Sequence, residues 1–278
     1  VSYAHRIEPG TRVSLGAIDP RDTGGVGKSD GQERFVALNA ELSGLQELLY
    51  AAGTHAVLMI LQGMDTSGKD GAVRGVLMNV NPQGCRVESF KVPTEEDLAH
   101  DFLWRIHKVT PGKGMLGVFN RSHYEDVLIA RVHRFVPEEV WRARYEQINQ
   151  FEQMLAASGT LILKFFLHIS KDEQEKRLME REQDPTKAWK LSASDWRERQ
   201  YWDDYQRAYE DAISNCSTPH APWYVVPADK KWFRNLAIAE VLAGTLRQHV
   251  PTWRAALDSM SAARVAELRT YREGLNAQ

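Results

Sequence analysis

The sequence predicts an α/β fold, with a central parallel sheet covered by helices on both faces. Three observations lead there. Short apolar runs recur along the 278-residue chain with helix-periodic segments between them. The first run ends in a glycine-rich turn that carries a lysine. The composition, 43% hydrophobic and 26% charged, is that of an ordinary folded domain.

In chain order, residues 1–30 hold Pro9, Gly10, Pro20, Gly24, Gly25 and Gly27 and read as an irregular N-terminal arm. Within 31–52, Phe35, Leu38, Leu42, Leu45, Leu48 and Leu49 recur at helical spacing. The compact apolar run 57–61 suits a strand buried on both faces. A helix is expected to open at 72–78. Further buried strands are expected at 86–90, 115–119, 161–169 and 224–226. Helices are expected at 94–107, 138–157 and 232–249, and a helical tail over 251–278. Trp202, Tyr205 and Tyr209 form a helical stripe that reads as core, and Trp196, Trp223 and Trp232 read as structural.

The apolar stretches are much shorter than the roughly 20 residues a bilayer demands, so no membrane span is expected. The N-terminus shows no charged-then-apolar signal pattern. Two cysteines, Cys85 and Cys216, imply no disulfide framework, and a cytoplasmic setting is expected. The formal net charge of −2 argues against a general nucleic-acid binder. Between 101 and 135, however, six Lys/Arg face three Asp/Glu. That segment is either a locally positive surface for a polyanion or a solvated face.

The segment 171–183 has little apolar surface and carries Arg177 and Arg181 four apart, followed by Lys187 and Lys190. It reads as a basic lid over about 171–200, or as a surface helix laced with ion pairs.

The most informative stretch is Gly63-Met64-Asp65-Thr66-Ser67-Gly68-Lys69-Asp70-Gly71. It satisfies G-x-x-x-x-G-K between an apolar strand and a helix start, where a phosphate-binding loop belongs. Glycines let successive amide N–H groups converge on one anion, and the helix N-terminus and Lys69 add positive potential. The residue after Lys69 is Asp70, where P-loop proteins usually place a Ser or Thr on Mg²⁺. Asp65 is therefore the candidate metal ligand, with one or two carboxylates sufficing for a hard cation. Gly63, Thr66, Ser67, Gly68, Asp70 and Gly71 are candidate phosphate contacts, with Arg74 one turn on.

A second element follows the strand at 115–119. Asn120 stands where an acidic residue would usually end such a strand, and offers a neutral oxygen to metal. Arg121 at the strand tip reads as a stabiliser of a transferring phosphoryl group, or as a structural ion pair. Arg131, Arg177 and Lys187 complete the candidate phosphate- and nucleotide-binding set.

These motifs resemble the polyphosphate kinase 2 family over about 31–249. The resemblance rests on the loop at 63–71 and on Phe90-Lys91-Val92-Pro93-Thr94-Glu95-Glu96. It rests also on His100-Asp101-Phe102-Leu103-Trp104-Arg105, on 120–127, and on Ala221-Pro222-Trp223-Tyr224-Val225-Val226-Pro227-Ala228-Asp229. It implies a thymidylate-kinase-like P-loop kinase domain over 31–250 with a helical lid, and Mg²⁺ dependence, with Mn²⁺ as a substitute. It further implies a homo-oligomer, dimer or tetramer. Asp65 would bind metal, Lys69 and Arg121 would contact phosphate, and lid arginines such as Arg181 would clamp the reacting groups. Asn120 and Glu125-Asp126 look like the family's third class, described as phosphorylating both AMP and ADP from polyphosphate. Glu125 is then expected to help place AMP. An ATP-dependent nucleotide or small-molecule kinase and a non-catalytic nucleotide-binding module are the alternatives on the same core.

Overall fold

The structure, a computed structural model, describes residues 3–184 and 193–276. Its elements run β1 (His5–Ile7), α1 (Lys28–Ala52), β2 (Ala56–Gln62), α2 (Lys69–Val76), β3 (Cys85–Ser89), α3 (Glu95–Leu98), α4 (Trp104–His107) and β4 (Leu116–Asn120). Then come α5 (Ile129–Val132), α6 (Glu138–Ala157), β5 (Thr160–His168), α7 (Lys171–Gln183), α8 (Ala193–Glu198), α9 (Trp202–Cys216), β6 (Trp223–Pro227) and α10 (Lys231–Asn276).

The six strands form one sheet in the order β1-β6-β5-β2-β4-β3. β2 to β6 are mutually parallel, and β1 pairs antiparallel with β6. Every residue of β2 is buried, which is why its sequence is apolar on both faces. α1 packs on α10, and α10 on α2, β5 and β6, while α5, α6 and α9 pack together with β5 touching α6. Chain order runs from β2 to the far edge, back beside β2 through β4, then across to β5 and β6. The strand order thus reverses around β2, and the carboxyl ends of all five parallel strands open on one edge.

Several expectations need correction. The arm at 1–30 contributes β1, buries Leu15, and ties Val13 N to Ser214 Oγ at 2.9 Å, so it belongs to the core. The strand at 86–90 is an edge strand with exposed Arg86 and Val87, not a buried one. The single helix expected at 94–107 is two short helices, because the Asp101 carboxylate accepts from Leu103 N at 3.0 Å and turns the chain between them. Over 251–276 the tail is the continuation of α10 through Pro251. Buried Trp253, whose Nε1 donates to His55 Nδ1 at 3.2 Å, holds that junction. The aromatic stripe does face the core, with Trp202, Tyr205 and Tyr209 all buried.

Behind the sheet edge lies a buried ionic knot. Glu152 of α6 receives Lys164 Nζ at 2.5 Å and Tyr124 OH at 2.9 Å, and His123 Nε2 lies 3.2 Å away. Lys164 donates also to Cys216 O at 2.6 Å. All four side chains are fully buried. Burial opposes ionisation of Glu152, but Lys164 and His123 bring its pKa below the usual carboxylate range. The knot fixes His123 and Tyr124, and therefore the chain just beyond Arg121.

Glu152→Gln strands the Lys164 ammonium in the core, and should cost about 3–5 kcal/mol of unfolding free energy. Adding Lys164→Met removes the stranded charge and should recover about half of that loss or more. Urea unfolding of both variants checks this. Glu152→Gln unfolding at wild-type denaturant concentration would show that the knot carries no net electrostatic weight.

Candidate active site

Each parallel strand delivers part of the site from its carboxyl end. β2 runs into the loop at 63–71, where Gly63 (φ 153°) and Gly68 (φ 96°) adopt backbones that favour glycine. A Cβ at Gly63 would lie 2.9 Å from Leu167 O, so the loop's approach to β5 depends on its absence. Thr66, at φ 65°, is a non-glycine residue in the left-handed region. Lys69 opens α2 and is 9% exposed, with Nζ donating to Gly63 O at 2.7 Å and Met64 O at 3.3 Å. Burial first, then the charge of Arg121, lower its pKa from 10.5 to about 8, against the pull of Asp65, Glu125 and Asp70. Thr66 Oγ1 and Ser67 Oγ are buried without hydrogen-bond partners among the described residues.

β4 ends at Asn120, and Arg121 follows with φ 65° and its amide bonded to Leu61 O at 3.1 Å. That strained backbone turns the guanidinium toward the loop, where Nη2 donates to Asp65 Oδ1 at 2.7 Å. Glu125 Oε2 lies 3.8 Å from Arg121 Nη1. Burial disfavours any charge here, yet Glu125 and Asp65 together hold Arg121 firmly protonated. Burial raises the pKa of Glu125, offset by Arg121 and Lys69. Gln62 donates to Glu125 Oε1 at 3.1 Å and accepts from Ser122 N at 3.1 Å. Asn120 Nδ2 donates to Asp70 Oδ1 at 2.7 Å.

β5 leads through Ser170 into α7. Although polar, α7 is docked, with Gln174, Arg177 and Leu178 buried. Arg177 donates to Thr66 O (3.0 Å), Ser67 O (3.1 Å), Ala228 O (2.7 Å) and Asp229 O (2.9 Å), with Nε on Glu173. It is a staple rather than a mobile clamp. Arg181, one turn on, faces the cavity and reaches Asp195 Oδ2 of α8 at 3.4 Å. Burial, then the nearby charge of Asp65, raises the pKa of Asp195. β6 leads to Lys231, 3.8 Å from Glu180. β3 ends in Ser89, Phe90 and Lys91 on the opposite wall.

These elements enclose a cavity of about 850 Å³. Of the expected residues, Asp65, Thr66, Gly68, Lys69, Asp70, Gly71, Asn120, Arg121, Arg177 and Arg181 line it. Gly63 and Ser67 shape the loop from beneath. Others lie elsewhere. Arg74 is on the exposed face of α2, away from the cavity lining. Arg131 stacks over Trp141 and pairs with Asp211 at 2.7 Å, which accounts for its charge structurally. Glu125, expected to help place AMP, does not line the cavity; its carboxylate lies 3.8 Å from Arg121 Nη1. Lys187 lies outside the described residues.

The basic excess at 101–135 does not form one surface. Arg105 donates to Lys91 O, Lys108 lies over Trp104, and Arg131 pairs with Asp211. Of the cations of that segment, only Arg121 lines the cavity among the described residues. The cations that do, beyond Lys69 and Arg121, are Lys91, Arg177, Arg181 and Lys231. Sequence reasoning passed over Lys231, Asp195 and the buried Arg234. The available signal was the run Lys230-Lys231-Trp232-Phe233-Arg234, placed just beyond a strand's carboxyl end.

The model of the family described as polyphosphate kinase 2 matches residues 25–252. An AMP/ADP-polyphosphate phosphotransferase of Meiothermus ruber is 54% identical over 244 residues, covering 87% of this chain and 91% of that protein. An ADP-polyphosphate phosphotransferase of Rhodopseudomonas palustris is 48% identical over 257 residues, covering 87% and 88%. The crystal structure of polyphosphate kinase 2 from Arthrobacter aurescens TC1 superposes with a TM-score of 0.84 at 45% identity, covering 89% of this chain and 92% of that one.

If Lys69 holds an anion, its burial should make that binding pH-dependent. In the free protein its ammonium deprotonates near pH 8. A bound phosphate selects the charged form, so affinity is flat below that pH and falls, toward tenfold per unit, above it. Calorimetric titration with inorganic tripolyphosphate at pH 6.5–9.5 should show this fall in wild type but not in Lys69→Met. The same slope in both proteins would remove Lys69 as its source. For folding, the sign is opposite: the unfolded chain binds more protons between about pH 8 and 10.5, so this group adds stability as pH rises through that window.

Proposed function

The chain belongs to the polyphosphate kinase 2 family, and from that premise we propose that it moves phosphoryl groups from inorganic polyphosphate to AMP and ADP, giving ADP and ATP. The observation that carries this reading is the extent of the basic lining. Lys69 and the loop amides suit one phosphate, while Arg121, Arg181, Lys231 and Lys91 extend positive charge across the same cavity. A repeating polyanion needs such a grip, since it offers no base for a pocket to hold. Both relatives are named for ADP and polyphosphate, and the more similar one for AMP as well.

In the reaction, a terminal phosphate oxygen of AMP or ADP attacks the terminal phosphorus of the chain. The bond from that phosphorus to the bridging oxygen breaks, and the polyphosphate leaves one unit shorter with the electron pair on its new terminal oxygen. The attacking oxygen is already ionised, so no general base is required. Lys69 and the loop amides stabilise charge on the donor end, and the Arg121 fork spans the equatorial oxygens of the group in flight. Arg181 on α7 and Asp195 on α8, paired at 3.4 Å, line the same cavity.

The donor set suits a hard divalent cation. Asp65 lines the cavity with Oδ1 on Arg121, and its second oxygen has no hydrogen-bond partner among the described residues. The amide oxygen of Asn120 is the atom left over from its bond to Asp70. These two residues would hold Mg²⁺, or Mn²⁺ in its place, which when bound neutralises charge on the phosphate oxygens. No group of three His, Cys, Asp or Glu among the described residues is placed to hold a metal ion, in keeping with a cation ligated largely by substrate and water.

Among the described residues no helix is long and apolar enough to cross a membrane. A cytoplasmic setting suits the free thiols Cys85 and Cys216. Assembly with further copies is part of the same reading, supported by Val265, Leu268 and Tyr271, which α10 leaves exposed.

The deciding measurement is the initial rate on AMP and on ADP with long-chain polyphosphate, tripolyphosphate or ATP as donor. Long polyphosphate should serve both acceptors. Robust phosphorylation of AMP by ATP with none from polyphosphate would make the protein an ordinary nucleotide kinase, and binding without turnover would make it a regulatory module.

Substitution separates the two cations. Lys69→Ala should lower kcat by about two to three orders of magnitude. Arg121→Lys should recover little of what Arg121→Ala loses, because an ammonium cannot span two phosphate oxygens. Full activity in Arg121→Lys would show that charge alone matters at that position.

A further inference from the structure

α2 presents a glycine face. Gly68, Gly71 and Gly75 fall at i, i+3 and i+7, on one side of the helix. α10 fills that face with two side chains. A Cβ at Gly68 would lie 2.0 Å from Arg234 Nη1, one at Gly71 3.2 Å from Arg234 Nη2, and one at Gly75 2.3 Å from Asn235 Nδ2. The glycines thus bring a guanidinium against the first turn of α2, on the loop that holds phosphate.

That placement is costly in the free protein. Arg234 is 3% exposed, and among the described residues its side chain donates only to its neighbour, Asn235 Oδ1, at 3.0 and 2.7 Å. Among the described residues no carboxylate lies within ion-pair distance of it. It sits at the positive end of a helix dipole and close to the buried Arg177, and both oppose its charge. Burial, then the charge of Arg177, lowers its pKa to about 10, which leaves it cationic at neutral pH. A buried charge without a counter-ion is ordinarily among the most destabilising features a fold can carry.

We propose that Arg234 is a positioning residue for phosphate binding, whose buried and unmatched charge is compensated by the polyanion on the loop. It acts from behind the helix terminus, through the field at the loop amides, and leaves the cavity wall to Lys69, Arg121 and Arg181. The assignment rests on the phosphate-transfer reading of this cavity and adds a group to it.

The test pairs affinity with stability. Wild type, Arg234→Met and Arg234→Lys are titrated calorimetrically with inorganic tripolyphosphate, and their thermal midpoints are measured without phosphate. Arg234→Met should bind about tenfold more weakly while melting at or above the wild-type temperature. Arg234→Lys, which keeps the charge, should bind within threefold of wild type. A merely structural arginine gives the reverse pattern. An Arg234→Met protein that fails to fold or melts several degrees lower overturns the proposal, as does one that binds within threefold of wild type. A tenfold loss in Arg234→Lys at unchanged stability overturns it too, because charge would then not be the operative property. If wild type binds ATP but not tripolyphosphate, the donor reading falls, and the same comparison made with ATP still decides the role of Arg234.

Discussion

Four backbone carbonyls converge on the guanidinium of Arg177, two from the loop and two from the chain beyond β6. This contact links three strand ends, since Arg177 itself rides on α7 beyond β5. It also orients the loop. In a trans peptide the carbonyl and the N–H point in opposite directions, so holding Ser67 O aims the Gly68 N–H away from Arg177. It explains, too, how a helix almost devoid of apolar residues stays docked: α7 is held by donors and acceptors where most helices use an apolar stripe. Glu173, one turn before Arg177, keeps the buried guanidinium matched to a carboxylate.

What was legible in the sequence follows the range of the interactions involved. The loop at 63–71 declares itself because glycines, lysine and helix start are contiguous, and their geometry is local. Arg121 was legible from its place just past an apolar strand. The strands were legible wherever both faces are buried, and at β3 the charged Arg86 and Glu88 were the overlooked sign of an edge strand. The ionic knot of Lys164, Glu152 and His123 was not legible, because its members lie on separate elements and nothing in either neighbourhood announces the other. Arg234 was hidden for the same reason. Its meaning depends on glycines some 160 residues earlier. The basic excess at 101–135 shows the converse error, since residues adjacent in sequence were dispersed by the fold onto Asp211, Trp104 and the backbone of Lys91.

The site also sets two demands in opposition. Gathering cations at one sheet edge favours a polyanion but strains the free protein. The fold answers by giving most of them an internal carboxylate or carbonyl: Asp65 for Arg121, Asp195 for Arg181, Glu180 for Lys231, and loop carbonyls for Lys69 and Arg177. Arg121 shows the arrangement most clearly, since an acceptor that must approach its fork meets Asp65 already there at 2.7 Å.

These carboxylates are built-in counter-ions, and that changes how the protein trades one anion for another. A bare basic groove collects salt ions from solution and releases them when a polyanion arrives, which makes its affinity steeply dependent on ionic strength. Here the groups displaced from Arg121, Arg181 and Lys231 are tethered, and stay in the cavity after the exchange. Little mixing entropy would be gained by such an exchange, so affinity should depend less steeply on ionic strength than it does for a bare groove. On the proposed reading the protein would behave less like a charged surface than like a weak-acid ion exchanger.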